Sequence, residues 1–273
     1  MKITDLERFL EEDVGSGDIS GEVVPDVPVR AQIKADESGY LAGLEESKAI
    51  FEHLALDVNS QFTDGSEIKK GDIVLDINGS SRSILAAERL ALNFLGRMSG
   101  IASLTRECVK MGGGITISGT RKTTPGFREY EKKAIVIGGG YPHRFTLSDA
   151  ILIKDNHIKI AGLEKAIMNA KKIHPTKEIE IEVDNSKDAI KVAKLGVDII
   201  MFDNMSPEDI IYSIGELKRL DLRTRNRIEA SGGINIGNIR EFARTGVDIM
   251  SLGVITHSAP WLNFSLDIMK VLI

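Results

Sequence analysis

The sequence of 273 residues predicts an α/β protein, in which a first third mixing helices with antiparallel strands precedes an incomplete β/α barrel. Three observations lead there. Asp64-Gly65 and Lys70-Gly71 break residues 62–77 into short strands joined by tight turns, as in an antiparallel sheet. Beyond Gly112-Gly113-Gly114, six β-branched runs alternate with amphipathic segments, which implies right-handed βαβ units and a parallel sheet. Polar groups or glycines follow the end of each of these six runs. A barrel gathers such groups from several strand ends on one face, whereas a doubly wound sheet places its ligand at one switch point. Only six strands are evident, so the barrel is expected to be incomplete or to carry extra elements.

Taken in order, Thr4 with Glu7 three residues on makes a capping-box pattern, and predicts a short helix ending near Glu12. Gly15 and Gly17 mark a loop; its acids lack the spacing and terminal Glu of a calcium-binding EF-hand. Alternation from Val29 predicts a half-buried strand with a turn at Ser38-Gly39, and Glu45–Leu56 reads as a helix. Ile84–Met98 is rich in Ala and Leu with helical period, and Arg89 and Arg97, eight apart, share roughly one face of it. The six strands are expected at Ile115–Ser118, Ala150–Ile153, Ile179–Val183, Asp198–Phe202, Arg227–Ala230 and Asp248–Leu252. Amphipathic segments at Leu163–Ile173, Ser186–Leu195, Pro207–Leu217 and Ile236–Thr245 supply helices between them, and Gly196 and Gly246 each close a helix.

Composition narrows the function. A formal net charge of −5 argues against a general nucleic-acid surface. No apolar run approaches the ~20 residues that span a bilayer, and the N-terminus is charged from the start, unlike a signal peptide. A cytoplasmic protein with no nucleic-acid or membrane partner is expected. The single Cys108 excludes an internal disulfide and every multi-cysteine metal site, and is read as a core residue.

Within this acidic chain, residues 119–157 concentrate cations beside turn residues: Arg121 with Lys122, His143 with Arg144, and Lys154 with His157. Cations just past buried strands suit a site for a small anion bearing carboxylates or phosphates. After the later strands come Glu182 with Asp184, then Asp203, then Ser231-Gly232-Gly233, then Gly253. Glu182 and Asp203 suit the hydroxyls of a sugar or a Mg²⁺ ion carried by a polyphosphate. Glu182 could equally pair with a surface lysine. Ser231, Gly232 and Gly233, with a helix expected to start near Asn235, offer backbone N–H groups to a terminal phosphate; Gly253, with Thr256 and Ser258 nearby, completes that cup. His53 and His174 are read as structural, Trp261 as core or interface. His143 and His157 lack the spacing of a zinc motif.

Along almost its whole length the chain resembles the quinolinate phosphoribosyltransferase family. The resemblance is carried by Glu12-Asp13-Val14-Gly15-Ser16-Gly17-Asp18, Ala87-Glu88-Arg89-Leu90, Thr120-Arg121-Lys122-Thr123-Thr124-Pro125-Gly126, Gly139-Gly140 with His143-Arg144, Lys154-Asp155-Asn156-His157, Asp203-Asn204-Met205, Glu229-Ala230-Ser231-Gly232-Gly233 and Thr256-His257-Ser258, in that order. It implies an N-terminal α/β sandwich domain, residues 1–111 joined by the C-terminal segment 260–273, and an incomplete (open) β/α barrel, residues 112–259. It implies transfer of phosphoribosyl from phosphoribosyl pyrophosphate to quinolinate with loss of CO₂, giving nicotinate mononucleotide and pyrophosphate for NAD synthesis. Lys122, Lys154, Glu182 and Asp203 are then the catalytic residues. Arg121, Lys122, His143, Arg144 and Lys154 surround the dicarboxylate and the donor, and Arg89 reaches a neighbouring subunit's site. Glu182 and Asp203 hold the ribose and Mg²⁺, directly or through Mg-pyrophosphate, while Ser231, Gly232, Gly233 and Gly253 take the 5-phosphate. The family assembles as a homodimer or higher homo-oligomer. The sequence departs from the family pattern at Gly119, Tyr141-Pro142 and Thr146, which border the expected pocket. The competing readings are a related phosphoribosyltransferase with another acceptor, such as the paralogue associated with molybdenum transport, a non-catalytic anion-binding barrel, and an aldolase or isomerase using Lys154 as a Schiff base.

Overall fold

The computed structural model of the chain describes residues 1–272. In order, the first part contains α1 (Ile3–Val14), β1 (Pro28–Ala35), β2 (Gly39–Tyr40), α2 (Leu44–His53), β3 (Asp57–Asn59), β4 (Glu67–Ile68), β5 (Ile73–Ser80) and α3 (Ser81–Met111). It continues with β6 (Thr116–Ser118), α4 (Arg128–Ile137), β7 (Ile151–Ile153), α5 (Asp155–Ala161), α6 (Leu163–Ile173), β8 (Ile179–Val183), α7 (Ser186–Lys194), β9 (Ile199–Asp203) and α8 (Pro207–Arg219). Last come β10 (Arg227–Ser231), α9 (Ile239–Phe242), β11 (Ile249–Ser251), α10 (Val254–His257) and β12 (Phe264–Val271). The chain forms two compact units, one of Met1–Leu104, Val136–Gly138 and Ala259–Ile273, the other of Thr105–Ile135 and Gly139–Ser258.

The first unit carries an antiparallel sheet ordered β12-β1-β5-β3 and a small pair, β2-β4. The last strand of the chain therefore pairs with the first, Ala35 opposite Phe264 and Val29 opposite Val271. Ala31, Ile33 and Ala35 on β1 and Leu75 and Ile77 on β5 are buried, with Phe51 and Phe94 from the helices. Serines tie α3 to this layer. Ser99 Oγ accepts from Ala42 N–H at 2.9 Å and donates to Ala42 C=O at 3.1 Å.

Two expectations change here. Thr4 is not the N-cap of α1; that position is Lys2, in extended conformation and making no side-chain capping bond, and the helix runs on to Val14 because nothing breaks it before Gly15. The helix expected at Ile84–Met98 is a single element of 31 residues. Gly96 and Gly100 sit inside it because the returning chain presses on that face: a Cβ at Gly100 would fall on the carbonyl oxygen of Pro260. Glycine is there for close approach, which outweighs its poor helix propensity.

The second unit is built on six parallel strands ordered β6-β11-β10-β9-β8-β7. The consecutive strands β6 and β7 occupy opposite edges and do not pair, so the barrel is open. Tyr141 makes an isolated parallel bridge to Ser118 at the β6 edge. The middle of the sheet is apolar on its helix-covered face, with Ile181, Ile200, Phe202, Ile228, Ala230 and Met250 fully buried, as a parallel sheet requires. Each large side chain of this set contributes roughly 1.5–3 kcal/mol by leaving water. The strands fall where the sequence predicts within one or two residues. The helix expected over Ile236–Thr245 is only the four residues of α9. Asn238 Oδ1 accepts from Asn235 N–H and Asn235 Oδ1 from Gly237 N–H, both at 2.8 Å, and such local side-chain bonds compete with a helical turn.

Gly100→Ala is expected to destabilise the protein by about 2 kcal/mol through overpacking against Pro260, seen as a lower midpoint in thermal or urea unfolding; an unchanged midpoint would show that the C-terminal segment is free to move away.

Candidate active site

Parallel pairing aligns the strand ends, so Asp203, Ser231, Ser251 and Ser118 lie in one row and Glu182, Met201 and Glu229 in the row below. Alternate residues of each strand face the same side, which is why Lys154 joins Leu152, Glu182 joins Glu180, and Ser231 joins Glu229. At this end of the barrel opens a cavity of about 700 Å³, lined by Arg121, Lys122, His143, Arg144, Lys154, Glu182, Asp203, the Ser231-Gly232-Gly233 turn and Gly253. Every expected site residue of the second unit lines it. Arg89 does not; it stands exposed on α3 in the first unit.

Lys154, Lys122 and Arg144 are each held by a specific anchor. Lys154 is ion-paired to Glu182, so the lysine that pairs with Glu182 belongs to the site itself. The backbone of Lys122 is fixed by Thr256, whose hydroxyl donates to the Lys122 carbonyl at 2.7 Å, and its stem packs over Gly253, where a Cβ would meet the lysine Cδ at 3.2 Å. Arg144 donates to the Ala150 carbonyl at 3.3 Å, and burial with repulsion from Arg121 lowers its pKa. Helix α4 fastens the loops on either side of it. Glu131, fully buried, accepts from Thr124 N–H at 3.1 Å and from its hydroxyl at 2.9 Å, while Arg128 donates to Thr123 Oγ1 at 2.9 Å and to the Phe145 carbonyl at 2.8 Å.

The opposite wall is polar and bare of bulk. Gly232 and Gly233 have φ of 91° and 66°, and a Cβ at Gly232 would collide with Asn204, so glycine is needed there for both conformation and space. Asn204 in turn donates to Asp203 Oδ2 at 2.9 Å. The residues expected to form a phosphate cup are thus a backbone turn, and the helix expected to start near Asn235 begins four residues later.

Beneath the cavity lies a group that the sequence reading left without a role. Glu180 and Glu229 are buried, and His143 Nε2 stands 3.4 Å from a Glu180 oxygen and 3.7 Å from a Glu229 oxygen. Three of their four carboxylate oxygens, Glu180 Oε1 and both of Glu229, have no hydrogen-bond partner. The three side chains are spaced as metal ligands could be. However, in the neutral ring Nδ1 accepts from Arg144 N–H at 2.8 Å, which leaves the proton on Nε2, and in the charged ring Nε2 is protonated too; either way that nitrogen is a donor facing Glu180, the nearer acid, and not a ligand. Burial disfavours the charged ring, but the two glutamates outweigh it and raise its pKa to about 9. Both ring nitrogens are engaged by the protein, although the sequence reading counts His143 among the cations that hold a ligand. The signal for Glu180 was present: acids at alternate positions of β8 face the barrel interior as a pair. Lys132 on α4, fully buried, was passed over in the same way as part of a charged helix.

The chain matches the quinolinate phosphoribosyl transferase N-terminal domain over residues 18–99 and the C-terminal domain over residues 101–267. The chain belongs to the quinolinate phosphoribosyltransferase family. It is 45 % identical over 258 residues to a probable nicotinate-nucleotide pyrophosphorylase [carboxylating] of Archaeoglobus fulgidus, covering 93 % of this chain and 99 % of that protein. It is 35 % identical over 269 residues to the human nicotinate-nucleotide pyrophosphorylase [carboxylating], covering 96 % and 90 %. Among solved structures, NadC from Streptococcus pyogenes superposes with a TM-score of 0.92 at 42 % identity, covering 99 % of this chain and 96 % of that one. No helix among the described residues is long and apolar enough to cross a membrane.

A raised folded-state pKa stabilises fully below the unfolded value and fades above the folded one. The contribution of His143 is therefore complete below 6.5 and lost as the pH rises through about 9. Nitrogen NMR of the imidazole should show that midpoint, and Glu180→Gln or Glu229→Gln should lower it, because one of the two acids that oppose burial is then gone. An unmoved midpoint would separate the glutamates from the histidine.

Proposed function

We propose that this family member transfers phosphoribosyl from phosphoribosyl pyrophosphate to quinolinate, releasing pyrophosphate and CO₂ and giving nicotinate mononucleotide for NAD biosynthesis. The observation that carries this reading is the convergence of Arg121, Lys122, Arg144 and Lys154 with Asp203 and the Ser231–Gly233 turn on one cavity. A dicarboxylate fits the cationic side, and a phosphorylated sugar fits the turn and the acids. Curated relatives named nicotinate-nucleotide pyrophosphorylase [carboxylating] support it.

In the proposed chemistry the ring nitrogen of quinolinate attacks the sugar's anomeric carbon, and the bond to pyrophosphate breaks with its electron pair leaving on oxygen. Lys122, fixed beforehand through its backbone to Thr256, stabilises together with Arg121 the charge that develops. Glu182 and Asp203 face the oxocarbenium-like carbon and the ribose hydroxyls. Glu182 does so while ion-paired with Lys154. The carboxylate next to the alkylated nitrogen then leaves as CO₂; the electron pair of that bond remains on the ring carbon, is stabilised by the cationic nitrogen, and takes a proton.

Mg²⁺ belongs to the same proposal. Asp203 keeps carboxylate oxygen beyond the one that accepts from Asn204, but Glu182 is engaged by Lys154, so the donor set fits a metal carried by pyrophosphate better than a protein cage. When bound, Mg²⁺ neutralises charge on the leaving pyrophosphate. We further read the enzyme as a cytoplasmic homodimer or larger homo-oligomer in which Arg89 serves a neighbour's site. The exposed apolar residues Ile268, Met269 and Val271 on the edge strand β12 favour such an assembly.

The test is an assay with quinolinate, phosphoribosyl pyrophosphate and Mg²⁺, with nicotinate as a parallel acceptor. Product from quinolinate alone is expected, and Lys122→Ala should lower turnover by about 10²-fold or more, the scale for removing a preorganised charge at a transition state. Full turnover in Lys122→Ala, or product from nicotinate alone, would reject the assignment.

A further inference from the structure

Lys132 is the unexpected cation of this protein. It is fully buried on α4, a placement lysine almost never takes unless paired, yet among the described residues no carboxylate lies within salt-bridge distance of it. Its ammonium donates to the carbonyl of Pro142 and sits 5.2 Å from the centre of the Phe145 ring. The charged groups that face it are Arg128 on its own helix, Arg121 from the loop after β6, and Arg144 and Asp149 from the loop before β7, three cations against one acid. It does not line the cavity. The residues it touches bracket two that do, because Pro142 and Phe145 flank His143 and Arg144. His143 itself holds a φ of 57°, a conformation that needs its neighbours fixed.

We propose that Lys132 is a positioning residue for the dicarboxylate acceptor: it clamps the Pro142 carbonyl so that His143 and Arg144 project into the cavity, and the two carboxylates of the bound acceptor supply the counter-charge that Lys132, facing three cations and only Asp149, lacks. The inference rests on the acceptor named above. Mainly by burial, and then by repulsion from Arg128 and Arg121, the ammonium is lowered to about 8, with Asp149 acting against the shift. Lys132 is therefore a cation below about 8 and loses its charge above. Affinity for the dicarboxylate falls across that range, and a bound dianion, by favouring the charged form, draws a proton onto the lysine.

Two variants separate the clamp from the charge. Lys132→Gln keeps a donor for the Pro142 carbonyl; Lys132→Met keeps neither. Expected are a rise of about tenfold in KM for quinolinate in Lys132→Met and a smaller rise in Lys132→Gln, with KM for phosphoribosyl pyrophosphate within about twofold of wild type in both. Both variants should also lose the fall in kcat/KM for quinolinate above about pH 8. Equal losses on the two substrates would mean a merely structural lysine, and wild-type kinetics with an unchanged pH profile would overturn the proposal outright. If neither variant folds, calorimetry on the wild-type protein decides. Quinolinate binding at about pH 8.5, in buffers of different ionisation enthalpy, should take up a proton, and affinity should drop at least about threefold from pH 7 to pH 9. Binding without proton uptake and with equal affinity would overturn it. Wild-type turnover with unaffected variants refutes only the role of Lys132, whereas a wild-type protein that binds phosphoribosyl pyrophosphate but not quinolinate refutes the acceptor, and the inference with it.

Discussion

Like-charge crowding is the constraint on which the rest of this site depends. Arg121, Lys122, Arg144 and Lys154 share one cavity of about 700 Å³, with Lys132 and Arg128 close behind. In water such cations would separate and be screened. Here four of them are tied to points of the fold: Lys122 through its carbonyl to Thr256, Arg144 to the Ala150 carbonyl, Lys132 to the Pro142 carbonyl, and Lys154 to Glu182. Only for Lys154 is the anchor a carboxylate; the carbonyls that accept from Arg144 and Lys132 hold a cation without cancelling its charge. A carboxylate at each position would have stabilised the empty site and neutralised it for an anionic ligand.

The anchors converge because α4 and the parallel strands meet them from opposite sides. Strand register sets Glu182 and Asp203 within the last two rows of the sheet, so their spacing is a property of the barrel. Apart from the single bridge of Tyr141 to Ser118, the loops 119–127 and 138–150 have no such register. Glu131, Arg128 and Lys132 supply it by bonding to Thr123, Thr124, Pro142 and Phe145. A ten-residue helix with three of its charges turned to backbone and hydroxyl partners does for two loops what hydrogen-bond ladders do for the strands.

Much of this was legible in the sequence, for identifiable reasons. The six strands were found because a parallel sheet covered by helices needs near-continuous β-branched runs, and the strand-end residues because polar groups after such runs are seldom needed for packing. The long helix α3 was cut short at Met98 because glycine reads as a breaker, while its use at Gly100 is set by Pro260, more than 150 residues away in the chain and visible only in the fold. Glu180, Glu229, Glu131 and Lys132 were missed for a common reason. Composition treats a charged residue as solvated, and nothing local distinguishes an acid on the inner face of a barrel strand from one on an exposed edge. In Ile179-Glu180-Ile181-Glu182-Val183 the same alternation that suggests a half-exposed strand marks, inside a barrel, a strand with two acids aimed at the centre.

Those buried acids explain how so cationic a cavity can suit a reaction in which charge of both signs develops. Pyrophosphate leaves with negative charge while the anomeric carbon turns positive, and a uniformly cationic pocket would favour the first and oppose the second. Glu182 and Asp203 break that uniformity at the surface of the cavity, and Glu180 and Glu229 extend the negative region underneath, where His143 bridges them to the backbone of Arg144. The two glutamates are the costly part of this arrangement, since burial and the neighbouring Glu229 both raise the Glu180 pKa. Replacing them with apolar residues would ease that burial, but it would leave His143 without its acidic neighbours and the negative region to Glu182 and Asp203 alone. Binding that acts equally on ground and transition states accelerates nothing. In the proposed reaction, the alternation of sign from Arg121 and Lys122 to Glu182 and Asp203 is what would let the cavity respond to the separation of charge, beyond simply retaining an anion.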